Sequence, residues 1–166
     1  MRRVSGFLGI AAAVVALDQL TKWAALTYLA RHAEIAVTPF LNLVLVFNRG
    51  AAFGFLSHAA GWQNLFFIGV ALIACGVIVY LLYRLEPGNR MVAVALALIL
   101  GGAIGNVIDR LVHGHVVDFI DVYYRAWHWP AFNVADSAIT IGAILLVLDA
   151  FNIDLLIRRL RRRPIP

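Results

Sequence analysis

Met91-Val92-Ala93-Val94-Ala95-Leu96-Ala97-Leu98-Ile99-Leu100-Gly101-Gly102-Ala103-Ile104-Gly105-Asn106-Val107-Ile108-Asp109-Arg110-Leu111 carries no charge until its last three residues. A helix crosses the ~30 Å hydrocarbon core of a bilayer in about 20 residues, so this stretch has the length and the apolarity of one membrane span. Gly101 and Gly105 form a small-xxx-small stripe that admits a neighbouring helix closely. Asn106 and Arg110 lie four apart and share a face, with Asp109 beside them, so the polar groups collect at one end of the span. A polar cluster at the end of a greasy helix is costly and calls for a partner or a task.

Three further stretches have the same character: about Gly6 to Leu26, Trp62 to Leu85 and Val134 to Ile157. The chain of 166 residues is 63% hydrophobic and 14% charged, with mean hydropathy +0.87. Soluble domains carry about 25% charged residues, so a water-soluble globule is excluded. The expected fold is an all-α membrane protein, residues 1–166 forming a single integral-membrane domain. Four transmembrane helices (about 6–26, 62–85, 91–111 and 134–157) carry a small β-sheet and loop subdomain on the outer surface of the membrane. Met1-Arg2-Arg3 before an apolar run has the look of a secretory signal. The run continues past Asp18 and Lys22 without a small-residue cleavage site, which favours an uncleaved first helix.

The net charge of +5 does not indicate nucleic acid, because the positive residues gather at the ends of apolar runs, where they suit anionic headgroups and control topology. Arg2 and Arg3 precede the first span, Arg84 and Arg90 bracket the turn after the second, and Arg158, Arg159, Arg161, Arg162 and Arg163 follow the fourth. The opposite loops hold Arg31, Arg49 and Arg125. Both termini are therefore expected in the cytoplasm, and segments 27–61 and 112–133 on the outer side. In the first, Leu41 to Asn48 reads as a strand between Pro39 and the turn Asn48-Arg49-Gly50. The second, with Tyr123, Tyr124, Trp127, Trp129 and Phe132, reads as an aromatic loop at headgroup level. Cys75 is the single cysteine; an intrachain disulfide is impossible, and a core or lipid-facing role is expected.

Asp118 and Asp136 carry the chemistry. Asn133 is a good helix N-cap and Asp136 stands three residues on, so a capping box explains Asp136 without catalysis. Asp118 reads locally as a solvated loop acid near Asp121. If the two meet, mutual repulsion leaves one shared proton, and one carboxylate activates water while the other donates to a carbonyl oxygen. Spacing alone does not bring them together. A zinc site on His113, His115 and Asp118 is the weaker reading, since no third strong ligand pattern appears. Ser57 and Ser137 lack a Gly-x-Ser-x-Gly context. Asp18 and Lys22, four apart, are expected to pair along one helix face. A small proton- or solute-conducting protein is the rival function, but a relay calls for acids spread through the bilayer depth; Asp109, Asp118 and Asp136 gather at one end.

Five blocks resemble those of the bacterial lipoprotein signal peptidases (signal peptidase II, peptidase family A8). They are Leu17-Asp18-Gln19-Leu20-Thr21-Lys22, Asn48-Arg49-Gly50-Ala51-Ala52-Phe53, Gly101 to Arg110, Gly114-His115-Val116-Val117-Asp118-Phe119 and Phe132-Asn133-Val134-Ala135-Asp136-Ser137. They occur in family order across nearly the whole chain. The resemblance implies a membrane aspartic endopeptidase of the bacterial inner membrane, with Asp118 and Asp136 as catalytic dyad at the periplasmic side. It implies that Asn48, Asn106, Arg110 and Asn133 line the site and hold substrate backbone or orient the dyad. Asp18, Lys22 and Asp109 are expected to be structural polar residues. No cofactor and no metal are implied. The implied partners are prolipoproteins carrying diacylglyceryl-cysteine and membrane lipids; no nucleic acid is expected, and the chain is expected to be a monomer.

Overall fold

The α3 helix (Arg90–Val112) is the central post of the computed structural model, which describes residues 2–30, 34–50 and 62–151. It is contacted by α1 (Arg2–Tyr28), α2 (Trp62–Arg84) and α4 (Val134–Ala150). Small residues make this possible. A Cβ on Gly101 would sit 2.7 Å from the Ala11 carbonyl oxygen of α1, and a Cβ on Gly142 of α4 would sit 2.6 Å from that of Ala95. Close backbone approach substitutes for a hydrophobic drive that lipid does not supply between helices. Ala11, Ile78, Leu82, Ala93, Leu96 and Leu100 form the core where α1, α2 and α3 meet.

Helices α1, α2 and α3 are long and apolar enough to span a membrane, with mean hydropathy 1.6, 2.8 and 2.3. Large apolar side chains point outward, among them Trp23 on α1 and Leu65 and Ile73 on α2, as befits lipid rather than water outside. The fourth expected span is described only to Phe151, one residue past the end of α4. The remainder of it, with Asp154 and the arginine cluster, lies outside the described residues.

A sheet sits at the end of the bundle where α1 and α3 finish and α4 begins. Strands β1 (Glu34–Thr38), β2 (Leu41–Asn48), β3 (Val116–Tyr124) and β4 (Trp127–His128) run antiparallel in the order β1-β2-β3-β4. Phe119 seats the sheet on Ala25 of α1 and Leu29 in the turn just after it, with Leu43, Leu45 and Ile120 around them. Burying one such phenylalanine is worth about 1.5–3 kcal/mol.

The strand expected at Leu41 to Asn48 is present. The segment expected as an aromatic loop is not a loop: residues 116–124 form the longest strand. Its alternation is hidden because Val116, Val117, Asp118 and Phe119 are all buried, and a strand covered on both faces loses the period of two. Gly114, at φ +75°, makes the turn between α3 and β3.

Candidate active site

Helix α4 starts at Asn133, whose extended backbone ends the approach from β4. Its Oδ1 accepts the Asp136 backbone N–H at 2.9 Å, and Asp136 Oδ2 accepts the Asn133 backbone N–H at 3.3 Å. The capping box read from the sequence is therefore real. It does not use up either residue. Asn133 Nδ2 donates to Asp118 Oδ1 at 2.8 Å, and Asp136 Oδ1 accepts from Asn106 Nδ2 at 2.8 Å. One asparagine thus caps the helix that carries one aspartate and bonds directly to the other.

Asp118 is not a solvated loop acid. It lies on β3 opposite Val46, with 2% of its surface exposed. Asn48, at the end of β2, donates its amide to Asp118 Oδ2 at 3.1 Å. Burial pushes the Asp118 carboxyl up to about 7, and the nearby Asp136 charge adds to the rise; hydrogen bonds from Asn48 and Asn133 and the Lys22 charge oppose it. A carboxylic acid of this kind keeps a proton near neutrality, as an acid catalyst needs.

Beneath the two aspartates lies a buried ionic cluster. Lys22 Nζ donates to Asp18 Oδ2 at 2.8 Å, Asp109 Oδ2 at 2.9 Å and Asn106 Oδ1 at 2.9 Å. An ammonium has three protons, and here each has an acceptor. Asp18 and Lys22 pair as their spacing predicted, and Asp109 joins them. Asp18 Oδ1 also accepts the Ala135 backbone N–H at 2.9 Å, and Asp109 Oδ2 accepts that of Val117 at 3.0 Å. The cluster therefore ties α1 to the first turn of α4 and α3 to the strand of Asp118. Gln19 completes it by donating to Asp109 Oδ1 at 2.9 Å. Sequence reasoning passed over Gln19, although its neighbours Asp18 and Lys22 marked that face of the helix.

Asn48, Asn106, Arg110, Asp118 and Asp136 line one groove of about 1000 Å³, walled by apolar residues such as Val46, Phe47, Phe132, Ile139 and Ile141. Arg110 is already engaged: Nη2 donates to the Gly50 carbonyl at 2.6 Å, and the guanidinium stacks over Phe67 with Cζ 4.6 Å from the ring centre. Asn64, unnoticed in the apolar run of α2, donates to the Arg110 carbonyl at 3.0 Å. Arg110 thus anchors the turn that follows β2 at the groove. His113 and His115 stack on one another at 5.9 Å, and His115 lies against Phe47. Among the described residues no group of three His, Cys, Asp or Glu side chains is placed to hold a metal ion.

The chain as a whole is similar to known proteins. The family model described as signal peptidase (SPase) II, peptidase A8, matches residues 10–152. The lipoprotein signal peptidase of Paraburkholderia phytofirmans is 58% identical over 143 residues, 86% of this chain and 83% of its own. That of Burkholderia mallei is 57% identical over 143 residues, 86% of each chain. A bacterial membrane enzyme solved by the in meso method at 2.3 Å superposes with a TM-score of 0.77 at 35% identity, covering 98% of this chain and 94% of its own. A second such structure, at 1.9 Å, gives 0.78 and 37% over 89% of this chain and 94% of its own.

Proposed function

Because the chain belongs to the signal peptidase II family, we propose that it is a membrane aspartic endopeptidase acting on diacylglyceryl-modified prolipoproteins. It removes the signal peptide by cutting before the lipidated cysteine, with Asp118 and Asp136 as the dyad. The observation that carries this reading is the Asn133 amide, which accepts from the Asp136 backbone and donates to the Asp118 carboxyl. That single side chain registers both acids on one groove.

In this mechanism Asp118 holds the shared proton and Asp136 is the carboxylate. Asp136 takes a proton from water as its oxygen attacks the scissile carbonyl carbon, and Asp118 donates its proton to the carbonyl oxygen. The neutral tetrahedral diol then collapses. One hydroxyl proton goes to a dyad carboxylate, the C–N bond breaks, and the leaving amine takes the other dyad proton. No covalent enzyme intermediate, metal or organic cofactor takes part. The apolar walls of the groove suit acyl chains arriving through lipid, while its polar floor faces the peptide. Both termini are cytoplasmic, the groove opens at the periplasmic face of the inner membrane, and one chain suffices.

The test is direct. The purified full chain in detergent is given a diacylglyceryl-modified prolipoprotein, and wild type is compared with Asp118→Asn and Asp136→Asn. Both variants are expected to fold and to lose turnover. Full activity in either one removes the dyad.

A further inference from the structure

We propose that Lys22 is a positioning residue for the dyad: a buried group able only to donate, it fixes the orientation of the Asn106 amide, and its carboxylate partners hold the segments that carry Asp118 and Asp136. The inference rests on the dyad reading and goes beyond the structural ion pair that the sequence suggested.

The two ends of an amide are told apart by their partners. Lys22 Nζ has no lone pair, so the Asn106 atom facing it at 2.9 Å must be Oδ1. The Asn106 atom facing Asp136 Oδ1 at 2.8 Å is then an N–H donor. Without Lys22 a flipped amide would set oxygen against oxygen at Asp136. The contact from Asn133 Nδ2 to Asn106 Oδ1 favours the same orientation, but it is long, 3.3 Å, and the same nitrogen serves Asp118 Oδ1 at 2.8 Å.

The backbone argument is independent of the amide. Asp18 accepts the N–H of Ala135, the residue before Asp136, and Asp109 accepts the N–H of Val117, the residue before Asp118. Lys22 bonds both carboxylates, with 3% of its side chain exposed. One ammonium therefore joins the support of each aspartate to the other. A buried charge network is a poor source of stability compared with apolar packing, whereas a fixed geometry at reacting groups is worth orders of magnitude in rate.

Lys22→Met, Lys22→Gln and the double variant Lys22→Met/Asp109→Asn are compared with wild type and with Asp118→Asn. The readouts are kcat, KM, the pH profile of turnover and thermal unfolding, all on the full chain in detergent. The double variant keeps the cluster's net charge and the acceptor for the Val117 N–H, so it supplies the readout if Lys22→Met does not fold. Asp118 is faced by Asp136 from α4, Lys22 from α1 and Arg110 from α3, beside the neutral amides of Asn48 and Asn133. Removing the Lys22 charge raises the Asp118 carboxyl further, so the alkaline limb of the profile moves to higher pH.

The expected result for Lys22→Met and the double variant is a fall in kcat of about tenfold or more with KM within about twofold; Lys22→Met, which alone changes the cluster's net charge, also shows the shifted profile. Lys22→Gln keeps a donor for Asn106 and retains more of kcat than Lys22→Met. Wild-type kcat with an unmoved profile in any folded Lys22→Met form overturns the proposal. So does a loss that only tracks the folded fraction while the profile stays in place. Turnover by Asp118→Asn removes the dyad reading itself, whatever the Lys22 variants do.

Discussion

Replacing Asn133 by serine separates the two tasks of that side chain. As an N-cap, serine ranks with asparagine, so its hydroxyl can still accept the Asp136 N–H that Asn133 Oδ1 accepts at 2.9 Å. Serine is too short to replace the 2.8 Å donation to Asp118 Oδ1. Hydrogen bonds to charged groups contribute about 1.5–3 kcal/mol, which corresponds to roughly 10- to 150-fold in rate if the bond matters in the transition state. Water entering the vacated space would bring the effect toward the lower figure. The Asn133 hydrogen bond also holds the Asp118 carboxyl down against burial; its loss raises that group above its present value of about 7, and the alkaline limb of activity moves upward. Asn133→Ala should lose activity similarly and be about 1 kcal/mol less stable than Asn133→Ser, because it also loses the cap. Cleavage of a diacylglyceryl-modified prolipoprotein across pH, alongside thermal unfolding in the same detergent, reads both effects. Wild-type kcat/KM and an unmoved pH profile in folded Asn133→Ser would refute the reasoning.

Three other outcomes are expected. Asp118→Asn should stabilise the protein at pH 8 and hardly at all at pH 4. The folded carboxyl sits near 7 against an ordinary 3.8, so its contribution is full below the lower value and is lost as pH rises toward the upper one. The ceiling on the gain is roughly 4 kcal/mol, and equal shifts in unfolding temperature at both pH values would contradict it. Gly105→Ala would place a Cβ 2.5 Å from Asp18 Oδ2, displacing the carboxylate that holds the Ala135 N–H; a loss of about 1–3 kcal/mol with reduced turnover is expected, and an unchanged melting temperature would argue against it. A metal chelator should leave cleavage unchanged, whereas inhibition would turn attention back to His113 and His115.

Much of the bundle was legible because its signals are local. Long apolar runs, the Gly101/Gly105 stripe and the Asn133/Asp136 spacing each act over one or two helical turns. The same locality gave Asp136 a capping role that needs no catalysis, beside its candidacy as a catalytic acid. Residues 116–124 were misread because their strand is covered on both faces, which removes the alternation that marks a half-buried strand. Asn64 carries no signal of its own, because a lone amide in an apolar run has no pattern; only its partner on α3 distinguishes it.

The sequence by itself determined that this chain prefers lipid to water, where its helices run, which helix is capped by Asn133, and which acids are too costly to be incidental. Those properties depend on composition and on contacts within a few residues. Only the tertiary structure decided that Asp118 meets the same asparagine as Asp136, and that Lys22 bonds the supports of both. Such contacts join α1, α3, β3 and α4 across up to 117 residues of chain. Their existence depends on how closely Gly101, Gly102 and Gly105 let those helices approach, a distance that no local pattern encodes.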